Sequence, residues 1–459
     1  VLKKSPDALV IICIILVLIT ALTWVIPAGV FERSMVEGRE QVIAGTFQRV
    51  EASPQSPWQL LLAPIRGFRA AADIIGFVLL VGGAFSMLTA TGAIDAGLNR
   101  VVRFANENPA LRHTVVPLLM VLFSIAGCTF GMSEENLVFI MITIPLARSM
   151  GYDKLVGVAI PFLASAAGFA GASINPFTVG IAQGIAGLPP GSGATYRWLV
   201  WGVFTTIAIV FVMRYILRLE KNKVQSPLKG IAGQEVFADV QAPEAFNARH
   251  LTIILLFVLS LALLMYGSNN LGWYIEDISA LFIALGLLAA ILGKLGVKRT
   301  VLAFGRGAGD MLNAAIIIAL SRSVLVVADD GRIIDTMLYY LASMVDDFPR
   351  EVSVQGMFIV QGIINVFIPS GSGQAAITMP LMTPLADLLD ISRQTAVLAF
   401  QFGDGLLNVI IPTSAVTMGI LSIAGIPYKI WVTWVWKLVA VMTLASMLLL
   451  AISTWFNVW

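Results

Sequence analysis

Apolar runs long enough to cross a bilayer recur from one end of the chain to the other, at about residues 8–31, 71–91, 154–187, 196–217, 250–267, 277–293, 308–328, 392–425 and 428–457. A hydrocarbon core about 30 Å thick takes roughly 20 apolar residues as a helix. Inside it every backbone N–H and C=O must be satisfied within the protein, which leaves helices for runs of this length. Composition agrees: 58% of the 459 residues are hydrophobic and 12% are charged, where a soluble domain carries about 25% charged residues. The sequence therefore predicts an all-α polytopic membrane protein with about nine transmembrane helices in contact with lipid. The formal net charge of +2 says little about partners. Its lysines and arginines read as topology signals, not as a nucleic-acid surface. Cys13 and Cys128 both lie in apolar segments and read as small packed hydrophobes, with no disulfide or CxxC metal site available.

Two further apolar stretches, 112–150 and 352–390, are broken in the middle by Gly, Ser and polar residues, so neither is a simple span. Basic residues test the path. Lys3, Lys4, Arg100, Arg103, Arg112, Arg148, Lys154, Arg214, Arg218, Lys221, Lys223, Lys229, Lys294, Lys298 and Arg299 all fall on the cytoplasmic side if 112–150 enters and leaves from that side. Asp329, Asp330, Asp346 and Asp347 flank the second broken stretch, which then enters from outside. Each broken stretch becomes a re-entrant helical hairpin, a form tolerated where its turn is buried in protein or lines a watery cavity. The first run follows Lys3 and Lys4 and is longer than a signal-peptide core, so the N-terminus is expected in the cytoplasm. Tryptophans 198, 201, 431, 434, 436 and 455 sit near span ends, where interfacial anchors belong.

The polar segment 219–249 is the expected cytoplasmic linker between a first repeat, 1–218, and a second, 250–459. PIRGF around Arg66-Gly67 answers FGRGA around Arg306-Gly307, and TGAID ending at Asp95 answers GRIID ending at Asp335. IPLA at 144–147 answers TPLA at 383–386, and IAGLP at 185–189 answers IAGIP at 423–427. With this crossing count the two repeats run in opposite directions, the inverted repeat of many secondary transporters. The spans after the hairpins, 154–187 and 392–425, are interrupted by GFAGASINP and by Gly403-Asp404-Gly405 through Pro412-Thr413-Ser414. Such breaks free carbonyls and amides at mid-membrane depth. Two broken spans and two hairpin tips in corresponding places mark a binding site at the midplane.

The first tip reads Gly131-Met132-Ser133-Glu134-Glu135-Asn136. Ionised carboxylates facing lipid would cost at least a few kcal/mol each, so these glutamates are expected to face a cavity. There they could bind a cationic substrate group, Na+ or a proton, or else cap free backbone amides. The second tip, Pro369-Ser370-Gly371-Ser372-Gly373-Gln374, offers hydroxyls, an amide and close-approaching backbone N–H groups to an anion such as a substrate carboxylate. Asp404 with Asn175 and Asn408 supplies oxygens for a hard cation, Na+, or a carboxyl for a proton. Arg322, alone inside a span, is either the partner of a carboxylate or a contact for substrate. His113 and His250 have no Cys or His at ligand spacing, and GxxxxGK[ST], GxSxG and HExxH motifs are absent. A metal centre beyond Na+, a cofactor, ATP-driven transport and hydrolytic catalysis are therefore not expected.

TWVIPAGVFER in the first span, GMSEEN, GFAGASINPFTVGIAQGIAGLP and DGRIIDT together resemble the YfcC branch of the C4-dicarboxylate carrier (DcuC-like) family, over essentially the whole chain. That family is grouped with the ion-transporter superfamily. The resemblance implies a homodimer in the plasma (bacterial inner) membrane, each protomer with a scaffold domain and an elevator-type transport domain holding both hairpins. It also implies a transport site made of Ser133, Glu134, Glu135, Asn136, Ser370 and Ser372 with the broken-span residues Ser173, Asn175, Thr178, Thr413 and Ser414. Better-known carboxylate carriers of the superfamily have Ser-Asn-Thr tips. Here two glutamates would repel a dianion, while members of this branch are often described as basic amino acid antiporters. The expected function is secondary transport of an amino acid of the arginine/ornithine type, by antiport or ion coupling. A Na+- or H+-coupled C4-dicarboxylate carrier is the alternative, and an ion channel or a membrane enzyme the remoter ones.

Overall fold

The computed structural model describes residues 8–36, 39–94, 96–97, 100, 109–189, 191–221, 223–229, 246–267, 271, 273, 275–343, 348–456 and 458–459. Lys3, Lys4, Asp95, Arg103, Asp346, Asp347 and much of the 219–249 linker, which enter the topology and repeat readings, lie outside the described residues. Those described are mostly helical, with short strands between residues 29 and 49.

Among the described residues, five helical stretches are long and apolar enough to cross a bilayer: α3 (Ala72–Thr89), α9 (Ala194–Glu220), α11 (Ile275–Leu292), the nearly continuous Val297–Asp330, and α19 (Tyr428–Trp455). The apolar helices α1 (Ala8–Val25) and α10 (Ala248–Tyr266) also occupy expected spans. The first run was expected to continue to Phe31, but the helix stops at Val25. Pro27 lacks an N–H, and two small antiparallel ladders follow: β1 (Gly29–Val30) with β4 (Gln48–Arg49), and β2 (Arg33–Val36) with β3 (Arg39–Val42). Two helices missing from the hydropathy reading, α2 (Pro57–Ala70) and α12 (Val297–Asp310), carry enough polar residues to dilute their apolar faces. A capping box starts α2: Ser56 Oγ accepts from Gln59 N while Gln59 Oε1 accepts from Ser56 N. It leads through Ala71 into α3, as α12 leads through Met311 into α13 (Leu312–Asp330).

Those two pairs interlock, α2 on α13 and α12 on α3. The matched Arg-Gly doublets explain how. A Cβ on Gly67 would overlap Ala319 and Ser323, and one on Gly307 would overlap Gly82 and Ser86, so both glycines let backbones meet.

Each stretch expected to be a re-entrant hairpin holds two helices joined at its tip. The first is α4 (Pro109–Phe130) and α5 (Asn136–Ser149), and the second, after α14 (Ile334–Ser343), is α15 (Arg350–Phe367) and α16 (Gly371–Leu388). Each is followed by an interrupted span. The first comprises α6 (Lys154–Val158), a π-helical stretch Ala159–Leu163, α7 (Ala164–Ala170), a non-helical break, a second π-helical stretch Pro176–Gly180 and α8 (Ile181–Ile185); the second comprises α17 (Arg393–Leu407) and α18 (Ala415–Ala424). The first arm of each hairpin packs on the span that follows it, α4 on α7 and α15 on α17; the second arms touch those spans too, α5 on α6 and α16 on α17, and also reach the other half, α5 on α18 and α16 on α8. Glycine pairs set both contacts. Gly127 and Gly168 lie against the backbone of Ser165 and Ser124; Gly403 lies against the backbone of Gln361 and Gly362, and Gly362 against Leu407. The members of each pair are separated by the same 41 residues.

Two side chains differ from expectation. Trp431 is fully buried, because its indole N–H is needed by the Val409 carbonyl beside the second break (2.7 Å); it is a core residue, not an interfacial anchor. Cys13 is exposed on the outer face of α1, and only Cys128 is buried, where its Sγ lies 3.2 Å from Ser173 Oγ.

Candidate functional site

The first tip is made possible by Gly131, whose φ of +72° suits glycine and whose missing Cβ leaves room for the Asn175 amide. The tip closes on itself, for Ser133 O accepts from Asn136 N (3.2 Å) and Asn136 Nδ2 (2.9 Å). The two glutamates then part company. Glu135 is buried and accepts from Ser133 N through Oε2 (3.0 Å), the capping role. Glu134 is half-buried and lines a cavity of about 80 Å³. Asn136 points away, its Nδ2 also donating to Ser165 Oγ (2.8 Å).

That cavity lies where both hairpin tips, the second break and the crossing helices α3 and α13 converge. Besides Glu134 it is lined by Ser133, Ser321, Arg322, Pro369, Asn408, Thr413 and Ser414, with apolar walls from Ile74, Phe162, Leu325 and Phe367. A carboxylate and a guanidinium on one small cavity, with hydroxyls and an amide between, complement a molecule carrying both charges. At about 80 Å³ the cavity has room for about two or three water molecules, well under the roughly 300–1,000 Å³ of ligand pockets. The second break supplies its polar wall: Thr413 Oγ1 donates to Val366 O (2.6 Å), Ser414 caps α18 through Thr417 N (3.3 Å), and Asn408 Nδ2 donates to Asp404 O (2.8 Å).

Other expected site residues lie elsewhere. Asp404 is fully buried outside this cavity, and among the described residues neither carboxylate oxygen has a hydrogen-bond partner. Gly371, at the start of α16, sits directly over it: a Cβ there would meet Asp404 Oδ2 and Thr178 Cγ2. Thr178 Oγ1 is likewise buried and unpartnered. An isolated buried carboxylate costs several kcal/mol unless a proton or a neighbouring cation neutralises it. Asn175 caps the second π-helical stretch through Phe177 N (2.9 Å) and its Nδ2 is orphaned; Ser173 faces Cys128. Ser370 and Ser372 are half-buried at the second tip, whereas Gln374 clasps the hairpin arms, donating to Gln361 O (2.9 Å) and Oε1 (2.7 Å).

Sequence reading overlooked three residues. Gln401, one turn before Asp404, donates to Phe169 O (2.6 Å) and leaves Oε1 buried and unpartnered. Ser321 lines the cavity beside Arg322 with an orphaned hydroxyl. Arg197 is fully buried and donates through Nη2 to Gln394 (3.3 Å), locking α9 to α17. The first two had a legible signal, a polar residue inside an apolar helix; Arg197, at the end of a span, had none.

The family model described as DcuC, C4-dicarboxylate anaerobic carrier, matches residues 5–455. The chain is 33% identical over 471 residues to a protein of Escherichia coli (strain K12) provisionally described as basic amino acid antiporter YfcC, covering 93% of this chain and 92% of that one. It is 28% identical over 497 residues to an uncharacterized protein of Haemophilus influenzae, covering 98% and 96%. Among solved structures, the YdaH transporter of Alcanivorax borkumensis aligns over 98% of this chain and 99% of that chain at 17% identity, with a TM-score of 0.44.

Proposed function

The chain belongs to the DcuC family of C4-dicarboxylate anaerobic carriers, an integral membrane transporter family, and from that premise we propose that it moves an amino acid of the arginine/ornithine type by alternating access. The observation that carries this reading is that Glu134 and Arg322 line the same cavity. An α-ammonium or side-chain cation would sit against Glu134 and the α-carboxylate toward Arg322, Thr413 and Ser414. A C4-dicarboxylate would instead set one of its charges against Glu134 unless a cation lay between them. The description carried by the E. coli relative supports the same substrate class.

Nine spans, two hairpins entering from opposite faces and an inverted repeat of 1–218 and 250–459 belong to this proposal. The matched glycine pairs and the crossed packing of the hairpin arms support it. In an elevator, the hairpins and interrupted spans would travel as one body against the interlocked α2, α3, α12 and α13, in a homodimer of the bacterial inner membrane with a cytoplasmic N-terminus. Asp404, Thr178 and Gln401 would hold the coupling Na+ or proton, their orphaned oxygens supporting that role. Counter-exchange of substrates would proceed through the same cavity.

Thermal-shift measurements on purified protein test the substrate class, since a ligand at 100 times its Kd stabilises by about 2.7 kcal/mol. Arginine, ornithine or lysine is expected to raise the apparent Tm, and Glu134→Gln to abolish the effect. Stabilisation by fumarate or succinate alone, in the presence of Na+, would overturn the amino-acid assignment and leave the dicarboxylate reading.

A further inference from the structure

A second cavity, unconnected with the hairpin tips, opens between α9 and α19. It is a groove of about 1000 Å³, and its lining divides by chemistry along its length. Ile207, Val210, Phe211, Trp434, Leu438 and Val441 form an apolar floor; Arg214, Arg218 and Lys429 stand toward one end, and Lys437 lies beside Leu438, about 12 Å along α19 from Lys429. The spacing explains the arrangement. Residues 207, 211, 214 and 218 recur on one face of α9, and 430, 434, 437 and 441 on one face of α19. At 1.5 Å per residue, Ile207 lies about 16 Å along α9 from Arg218, roughly half the hydrocarbon thickness. The groove therefore runs from a cationic mouth toward the membrane interior.

Among the described residues no acidic one lines the groove, and none of the four cations forms an ion pair. The nearby acids are engaged: Asp153 accepts from Tyr215 (2.5 Å), Ser226 (2.6 Å) and Val156 N (3.2 Å), and Glu220 from His113 (2.9 Å) and Tyr152 (3.2 Å). All four basic side chains are exposed. The floor is firm, because Trp434 is held edge-to-face by Phe211 (4.9 Å) and Tyr215 (5.2 Å).

We propose that this groove is a binding site for an anionic phospholipid, the headgroup held by Arg214, Arg218, Lys429 and Lys437 and an acyl chain laid over Trp434 and Phe211. Four cations with no acid match a phosphodiester, and an apolar trough continuing from them matches the chain attached to it; a soluble anion would use the first feature and leave the second unfilled. The site rests on the orientation given above, which puts these four residues at the cytoplasmic leaflet, and is independent of the transported substrate.

The test uses the full chain in detergent. Native mass spectrometry counts retained phosphatidylglycerol against phosphatidylcholine of identical acyl chains, for wild type, for Arg214→Gln/Arg218→Gln/Lys429→Gln/Lys437→Gln, and for Lys298→Gln/Arg299→Gln as a control elsewhere. Wild type and control are expected to favour phosphatidylglycerol by about tenfold or more, and the quadruple variant to favour neither. A fluorescence measurement needs no charge variant: brominated phosphatidylglycerol should quench more than brominated phosphatidylcholine, with the difference gone in Trp434→Phe. Equal retention of the two lipids by wild type, undiminished preference in the quadruple variant, or quenching indifferent to Trp434 overturns the proposal. So does displacement of the lipid by matched inorganic phosphate, which would make the mouth a soluble-anion site.

Discussion

Adding one methyl group at Gly168 tests how the first hairpin docks. A Cβ there would fall on the Ser124 carbonyl oxygen, with the Ser124 carbonyl carbon at 2.7 Å and Cα at 2.9 Å. All three are backbone atoms, so no rotamer change relieves the overlap and α4 must move away from α7. Overpacking of this kind costs about 1–3 kcal/mol, against the roughly 0.5–1 kcal/mol by which alanine is otherwise preferred to glycine inside a helix. Gly403→Ala should behave alike, since its Cβ would meet Gly362 N at 2.8 Å and Gln361 C at 2.9 Å. Gly76 in α3 and Gly202 in α9 have open space at the same position, so Gly76→Ala and Gly202→Ala are the matched controls. Scanning fluorimetry in one detergent at one scan rate should give lower apparent Tm for Gly168→Ala and Gly403→Ala and unchanged or higher values for the controls. If all four variants melt alike, the glycine-mediated contacts are not as described and the paired hairpin packing loses its physical basis.

Asp404→Asn keeps the shape of the buried side chain and removes its charge. Wild-type uptake is expected to respond to an imposed Na+ or proton gradient and the variant to lose that response; a variant that responds as wild type does would remove Asp404 from coupling. At the extramembrane surface, Asp335 accepts from Arg33 (3.0 Å) and from Phe31 N (3.0 Å), yet burial outweighs both and raises its carboxyl above the ordinary value. A carboxyl raised in the folded state binds its proton more tightly there than when unfolded. Its contribution is therefore fully present below the unfolded value, about 3.9, and lost as pH rises through the higher folded value. Melting wild type and Asp335→Asn side by side from about pH 4 upward should show the wild-type advantage shrinking. A growing advantage would mean that Arg33, not burial, dominates.

Hydropathy made the spans legible because bilayer thickness dictates their length, and Pro, Gly and polar residues at 131–136, 171–176, 368–374 and 408–414 made the breaks legible because each removes or frees backbone hydrogen bonds. The same logic misses α2 and α12, whose polar faces lower their mean hydropathy, and the strands after Pro27, which only their pairing defines. At the site, composition placed carboxylates at the first tip but could not divide their roles. That depended on the turn geometry that sends Glu135 back to Ser133 N and Glu134 outward. Arg322 shares a cavity with Glu134 through tertiary contacts between residues 188 positions apart, a distance over which local periodicity carries no information.

Counterflow in proteoliposomes addresses the central claim most directly. Vesicles loaded with unlabelled L-arginine and diluted into a trace of labelled L-arginine should transiently accumulate label, saturably, and Glu134→Gln vesicles should not. Accumulation of labelled succinate but not arginine would contradict the assigned substrate, and a flux that neither saturates nor responds to internal substrate would contradict a carrier altogether.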